Sequence, residues 1–217
     1  ISKITSATGA TQRAFVIANT DDVTISGIGF TSTASAATYQ HNAEFWNVNR
    51  GTVEDCLFSN AGGYGFGCYQ DVDTPLVGTC DDFVFRRNEV RDASQYGLQH
   101  FPKTLSQRCR IHENDFYNCG HNAQGLAIPS EILPSAIKAG QVTNDAQIYL
   151  NRIYCAPNAV GLDIGNYEDI LIHSNKVYNA NRQYLSVSCG EHPSITPYIT
   201  SCRSFVARDN EFIHETG

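Results

Sequence analysis

Hydrophobic residues recur along this chain in short bursts, and the bursts repeat. One phrase reads apolar, any, any, Asn, any, apolar. It occurs as Phe85-Arg-Arg-Asn88-Glu-Val90, Ile111-His-Glu-Asn114-Asp-Phe116 and Ile148-Tyr-Leu-Asn151-Arg-Ile153, then as Ile172-His-Ser-Asn175-Lys-Val177 and Ala207-Arg-Asp-Asn210-Glu-Phe212. Two earlier copies, Ile25-Ser-Gly-Ile28-Gly-Phe30 and Val53-Glu-Asp-Cys56-Leu-Phe58, replace the Asn. The steps between these anchors are 28, 32, 26, 37, 24 and 35 residues. A shortest step of 24 with variable additions predicts a coil of three short strands joined by loops. Between the copies lies a second phrase, Gly, apolar, any, apolar. It reads Gly65-Phe-Gly-Cys68, Gly97-Leu-Gln-His100, Gly125-Leu-Ala-Ile128 and Gly161-Leu-Asp-Ile164, with Tyr184-Leu-Ser-Val187 in the same place and Ala14-Phe-Val-Ile17 and Glu44-Phe-Trp-Asn47 as earlier versions. Alternation over four residues predicts a strand with one buried face.

One coil cannot bury its apolar residues alone. Stacked at the inter-strand spacing of about 4.8 Å, each strand pairs with its copies above and below, and equivalent residues form ladders. Phe58, Val90, Phe116, Ile153, Val177 and Phe212 form an inward ladder. Asn88, Asn114, Asn151, Asn175 and Asn210 form an amide ladder at a bend, where Asn tolerates an unusual backbone and bonds the next coil. A further polar row reads Asn60, Asp92, Asn118 and Asn179. Asn residues that recur in every late coil are scaffold, since a catalytic site needs them once. The predicted fold is all-β, a right-handed parallel β-helix of about seven coils with three short strands each, as a single domain over residues 1–217. An antiparallel sandwich would need Asn-Gly or Asp-Gly hairpin turns, and the sequence has none. The chain starts at Ile1, contains no Met and stops at Gly217 partway through a coil, so it reads as a fragment of a longer chain.

These repeats resemble those of the pectate-lyase-like superfamily of parallel β-helices, which includes pectate lyases, polygalacturonases, alginate-modifying enzymes and phage tailspikes. The resemblance covers about residues 14 to 214 and concerns the scaffold. Alginate epimerases of the superfamily carry Tyr-Gly-Phe-Asp-Pro-His on the equivalent strand. Here Tyr64-Gly-Phe-Gly67-Cys-Tyr69 and Tyr96-Gly-Leu-Gln99-His-Phe101 place Gly67 or Gln99 at the acid and Tyr69 or Phe101 at the His, so that activity is not carried over. Asn19-Thr-Asp-Asp22, an echo of a polygalacturonase motif, reads as a turn, and no calcium-lyase signature is present. The resemblance implies a polysaccharide as partner and an extracellular or virion-surface location, either as a glycoside hydrolase or lyase or as a tailspike segment, with a homotrimer implied in the tailspike case. A purely structural β-helix is the third alternative.

Composition narrows this further. With 41% hydrophobic and 17% charged residues the chain folds. Its apolar runs are too short to insert in a membrane. A net charge of −7 with 15 scattered Lys and Arg excludes a nucleic-acid footprint. Eight cysteines match no zinc spacing, and neither metal nor cofactor is expected. Cys68 with Cys80 and Cys189 with Cys202 stand at the necks of loops, and two readings stay open for them: looped disulfides of an oxidising compartment or small buried hydrophobes. The other four are packing thiols. His100 occupies an inward slot and is a core histidine, whereas His112, His173 and His214 are surface.

The outward residues of the second phrase are Gly67, Gln99, Ala127, Asp163 and Ser186, and the longest additions, 69–79, 129–143 and 190–201, follow this strand on one edge. A glycosidase needs two carboxylates about 5 to 10 Å apart. Asp163, the only acid at an outward position of this strand, and Glu131 fall on neighbouring coils, and they are the candidate catalytic pair, Glu131 as acid and Asp163 as its partner. Candidate substrate-binding residues are Gln99, the aromatic Trp46 and Tyr69, whose two rings suit the C–H faces of sugars, and Asp71, Asp73, Glu191 and His192 on the loops.

Overall fold

The computed structural model describes residues 2–6, 14–32, 41–69, 80–101, 106–120, 135–188 and 203–215. Among them every regular element is a β-strand and every strand pairing is parallel. In one coil a first strand, Val16–Asp21, leads to a second, Thr24–Ser26, and a third, Ile28–Ser32. The next coil repeats the order as Ala43–Asn49, Thr52–Glu54 and Leu57–Ser59. The third strands stack into an eight-stranded sheet running from Ser2–Ser6 to Glu211–Ile213. First and second strands share one larger sheet. They do so because Ser135–Tyr149 and Val160–His173 keep their pairing through the bend, so that these two coils fuse two predicted strands into one. The fold is the expected parallel β-helix.

Single residues in the left-handed region turn the chain at each bend. Between first and second strands they are Asp22, Arg50, Asp82, Arg108, Asp145, Asp169 and Ser204; between second and third, Gly27, Asp55, Arg87, Glu113, Leu150, Ser174 and Asp209; after the third, Asn60, Asp92, Asn118 and Asn179. Each non-glycine costs on the order of 1 kcal/mol there, a cost that persists only because the stacked coils over-determine it. The amide ladder differs from expectation in one respect. The unusual backbone belongs to the residue before each Asn, such as Arg87 (φ 51°) before Asn88 and Glu113 (φ 57°) before Asn114. That residue makes the turn, and the Asn after it makes the bonds.

Those bonds are complete. Asn88 Nδ2 donates to Asn114 Oδ1 at 3.2 Å, and the steps from Asn114 to Asn151, Asn151 to Asn175 and Asn175 to Asn210 are each 2.9 Å. Every Nδ2 also donates to a carbonyl of the coil behind it, as Asn114 does to Phe85 at 2.9 Å. Every Oδ1 also accepts the backbone N–H of the preceding ladder residue, as Asn114 does from Asn88 at 2.9 Å. Cys56, in the ladder position of an earlier coil, donates its N–H to Asn88 Oδ1 and its thiol to Glu54 O. Asn114, Asn151 and Asn175 are fully buried, and their amides use both donor sites and both acceptor sites.

Behind the bend the inward ladder holds register as Phe30, Phe58, Val90, Phe116, Ile153, Val177 and Phe212. Phe30 and Phe58 stack at 5.1 Å. Outside the bends, opposite charges sit over one another. Arg50 grips Asp22 at 2.6 Å and Arg108 grips Asp82 at 2.5 Å. These exposed pairs add little stability but suit only one stacking register.

Replacing Asn114 by Ala strands the Asn88 amide and the Phe85 carbonyl inside the core. At about 1–3 kcal/mol for each stranded group, we expect a loss of roughly 3 kcal/mol or more in urea unfolding. Asn118→Ala removes one exposed bond, to Asp92, and adds left-handed strain of about 1 kcal/mol. Equal losses for the two variants would contradict the ladder's role.

Candidate functional site

The glycine of the second phrase has a steric cause. A Cβ on Gly65 would lie 2.5 Å from Val90 Cγ1 and 2.6 Å from the Gly97 carbonyl, and one on Gly161 would lie 2.5 Å from Val177 Cγ1. The chain enters the first strand pressed against the inward ladder. Beyond this point Phe66, Leu98, Ile137 and Leu162 line up in register inside the helix, buried to the last atom.

The next residues on these strands form one line on the outer face: Val16, Glu44, Gly67, Gln99, Lys138, Asp163 and Ser186. Two sequence assignments change here. The outward place given to Ala127 belongs to Lys138, because Ile137-Lys-Ala139 pairs with both Leu98-Gln-His100 and Leu162-Asp-Ile164. A period of two carries no coil address, so Leu126 and Ile128 matched the pattern as well as Ile137 and Ala139 did. The first strand of this coil is therefore Ser135–Tyr149, which begins after Glu131 in the sequence. Asp163 is also not the only acid on the line. Glu44 pairs with Gly67, not with Gly65. The signal was present in the spacing, since Ile17 and Phe45 each stand eight residues before the second-strand residues Ile25 and Val53.

Three polar members of this line are hidden from water. Glu44 is 0%, Asp163 3% and Gln99 7% exposed. Burying a carboxylate costs several kcal/mol unless it is partnered. Glu44 is partnered: the Trp46 indole N–H donates to its Oε2 at 2.7 Å, and His41 Nδ1 closes on its Oε1. The His41 ring lies on Tyr64 with centroids 3.9 Å apart, and Tyr64 lies on Tyr96 at 5.1 Å. Burial pushes the Tyr96 phenol well above the usual tyrosine range, and the nearby Tyr64 and Asp163 push it further. Asp163 thus belongs electrically to the same group as Tyr96. Gly67 places no side chain between Glu44 and Gln99.

Of the residues expected from sequence, Asp163, Gln99 and Trp46 share this face, and Trp46 and Phe101 both pair with Tyr69 in the neighbouring outward row. Asp71, Asp73, Glu131, Glu191 and His192 lie outside the described residues. His41 and Glu44 were not singled out by sequence as site residues, and Tyr64 and Tyr96 were noted only as aromatic members of the strand motif. Glu44 and Asp163 stand four strand pairings apart, about 19 Å at the sheet spacing, too far for the two carboxylates of a glycosidase. Among the described residues no group of three or more His, Cys, Asp and Glu is placed to hold a metal ion, and no helix is long and apolar enough to cross a membrane.

Six cysteines are free thiols, Cys68 and Cys80 among them; Cys189 and Cys202 lie outside the described residues. The sequence argument from disulfides to an oxidising compartment loses that support. His100 is a core residue, as expected: it is fully buried, stacked on Phe83 at 5.6 Å, with neither ring nitrogen hydrogen-bonded. His112 departs from its surface assignment, being 9% exposed and stacked on Tyr149 at 4.6 Å.

A family model described as a right handed beta helix region matches residues 2–130. No curated protein matches the chain. Among solved structures, the GH136 lacto-N-biosidase from Eubacterium ramulus is similar at 12% identity over 86% of this chain and 38% of that one, with a TM-score of 0.43. The periplasmic alginate epimerase AlgG is similar at 8% identity over 88% of this chain and 55% of that one, with a TM-score of 0.36. The chain thus spans well under two thirds of either. Nothing about chemistry follows from likeness at this level.

Burial pushes the His100 pKa down from 6.5 to about 4. The neutral ring is the folded form, so the unfolded chain binds the extra proton first. Its contribution is fully present above pH 6.5 and is lost as pH falls toward 4, by up to about 3 kcal/mol at 1.36 kcal/mol per unit. In melting curves across this window, His100→Phe should remove most of that acid-induced loss. An unchanged pH slope would contradict the assignment.

Proposed function

We propose that this chain, which belongs to the right-handed β-helix family, binds a long polysaccharide across the outer face of its first strands and cleaves it there, as a hydrolase or lyase. The observation that carries the reading is the buried polar line of Glu44, Gln99 and Asp163 beside Trp46, Tyr64 and Tyr96. The coil repeat needs the inward ladders. It gives no reason to hide carboxylates and an amide on an outward face, where water would solvate them at no cost. A saccharide does supply a reason. Its hydroxyls match carboxylate and amide groups, and its C–H faces match aromatic rings.

We assign the roles as follows. Asp163 is the catalytic carboxylate. Glu131, on the segment leading into the adjacent strand Ser135–Tyr149, is its partner acid. Gln99, Trp46, Tyr69, Asp71, Asp73, Glu191 and His192 contact the sugar. Glu44 holds the Trp46 indole and His41 in place and is a positioning residue. The working location is outside the cell or on a virion surface, where long glycans are met.

The test is an array of polysaccharides, reading both binding and oligosaccharide release. Asp163→Asn should lower release at least about 100-fold, the usual worth of an acid–base group, while binding changes less than about tenfold. Trp46→Ala should weaken binding by roughly fivefold, about 1 kcal/mol for a lost ring contact. Binding without release by the unsubstituted protein would overturn the cleavage half of the proposal and leave a glycan-binding protein. If Asp163→Asn and Trp46→Ala leave both readouts unchanged, this face is the wrong one.

A further inference from the structure

The polar line on the first-strand face has a definite start. Its outermost member, Val16, is apolar and 39% exposed, and the next outward residue of that strand is Ala18. Neither side chain offers a hydrogen bond or a ring. One pairing further on stand Glu44 and Trp46. The strand here is tied to both neighbouring coils. The Glu44 N–H donates to Phe15 O at 2.9 Å, and the Asn42 N–H donates to Tyr64 O at 3.1 Å. The fully buried Glu44 carboxylate holds a nitrogen on each oxygen, the Trp46 indole at 2.7 Å and His41 Nδ1. The Tyr64 ring packs on the His41 ring, with centroids 3.9 Å apart. Trp46 itself is half-buried, and a ring fixed by its own N–H costs little further entropy when a ligand packs on it. From Glu44 the line runs through Gly67, Gln99 and Lys138 to Asp163. Those four pairings span about 19 Å at the sheet spacing.

We infer that this face, read as a glycan site, holds about five consecutive sugar units along the helix axis, one per coil, with Trp46 at one end and Asp163 at the other. The reading of the face as a glycan site comes first, and the length and direction of the ligand rest on it. A pyranose unit of an extended glycan advances about 5 Å, close to the inter-strand step of about 4.8 Å, so successive units meet successive coils. Residues that differ from coil to coil then address the units one at a time. The Trp46 ring takes the first, bare backbone at Gly67 lies under the second, the Gln99 amide takes the third, and the Asp163 carboxylate takes the last. A glycan laid across the coils would meet Glu44, Gln99 and Asp163 one at a time and never together. Contact at Trp46, far from Asp163, holds the glycan in place over the whole line. Glu44 acts through the Trp46 ring and is a positioning residue.

The probe is a ladder of oligomers, dimer to octamer, size-fractionated from a partial hydrolysate of the polysaccharide that binds best on the array. Their affinities are measured by competition against that polysaccharide, fluorescently labelled, in short incubations with the unsubstituted protein. Affinity should rise at least about tenfold from trimer to pentamer, the worth of roughly two further contacts. From pentamer to octamer it should change less than about twofold, since no further contact is added. Trp46→Ala should cut the advantage of the pentamer over the trimer by about fivefold. Glu44→Gln should cut it in the same direction, because a neutral amide of the same shape offers one acceptor oxygen where two N–H groups need one each. A Glu44 that served only the fold would lower the affinity for every length alike. Equal affinity for trimer and octamer would overturn the inference and leave the glycan site standing. So would an affinity that keeps climbing from pentamer to octamer. Binding of no polysaccharide by the unsubstituted protein would overturn the site and its length together. The length profile needs no substitution, so a misfolded Glu44→Gln or Trp46→Ala does not blunt the test.

Discussion

A buried side-chain amide has two donor and two acceptor sites, and in this protein all four are filled only when identical residues lie directly over one another. Asn114, Asn151 and Asn175 each donate to the amide of the next coil and to a carbonyl inside the bend, and each accept from the amide and the backbone N–H of the preceding coil. A slip of one residue would strand these groups in an apolar interior at about 1–3 kcal/mol each. The ladder therefore sets the phase of every strand that leaves the bend. Phase decides which side chains point inward, because alternate residues of a strand face opposite ways. The left-handed residues beside the ladder and the opposed charges outside it are consistent with the same register, so local and long-range preferences agree.

Fixed phase separates two jobs. Inward rows supply cohesion through Phe30, Phe58, Phe116 and their aliphatic partners. Outward rows are free to differ from coil to coil, and they do. On the second strands His112, Tyr149 and His173 stack within 5.0 Å, with interplanar angles of 3° or less. On the third strands Tyr117, Tyr154 and Tyr178 stack within 5.1 Å. Rings stacked in this way spend their faces on each other and present edges to solvent, so these stacks extend the scaffold. The first-strand face is unlike them. Its polar line changes chemistry at each coil, from Glu44 through Gly67 and Gln99 to Asp163, and it is buried without being apolar. Variation along a repeat, at positions the repeat does not need, is where binding specificity is built in solenoids.

The fold was legible because its signal is periodic and redundant. Asn88 through Asn210 named the bend, and Phe58 through Phe212 named the inward row. The site was legible only in part, for two physical reasons. Alternation of period two is satisfied by any local apolar pair, so the outward place beside Asp163 fell on Ala127 when the stacking puts Lys138 there. Small residues also conceal a strand. Ala43 fills the inward place that Phe66, Leu98 and Leu162 fill elsewhere, and this displaced Glu44 from the line in the sequence reading. Tyr64 and Tyr96 were visible as residues, but the contact of Tyr64 with His41 and the closeness of Tyr96 to Asp163 come from stacking across coils, which no local pattern encodes.

The central claim is that one face builds the ligand site while the others build the helix. A crystal structure with a bound oligosaccharide, chosen as any product or ligand found by array, tests it most directly. The account predicts a sugar chain over Glu44, Gln99 and Asp163, with a ring against Trp46 and hydroxyls within 3.5 Å of Asp163 or Gln99 (about the upper limit of a hydrogen bond). An oligosaccharide bound instead along the Tyr117, Tyr154 and Tyr178 stack, with the first-strand face empty, would contradict it.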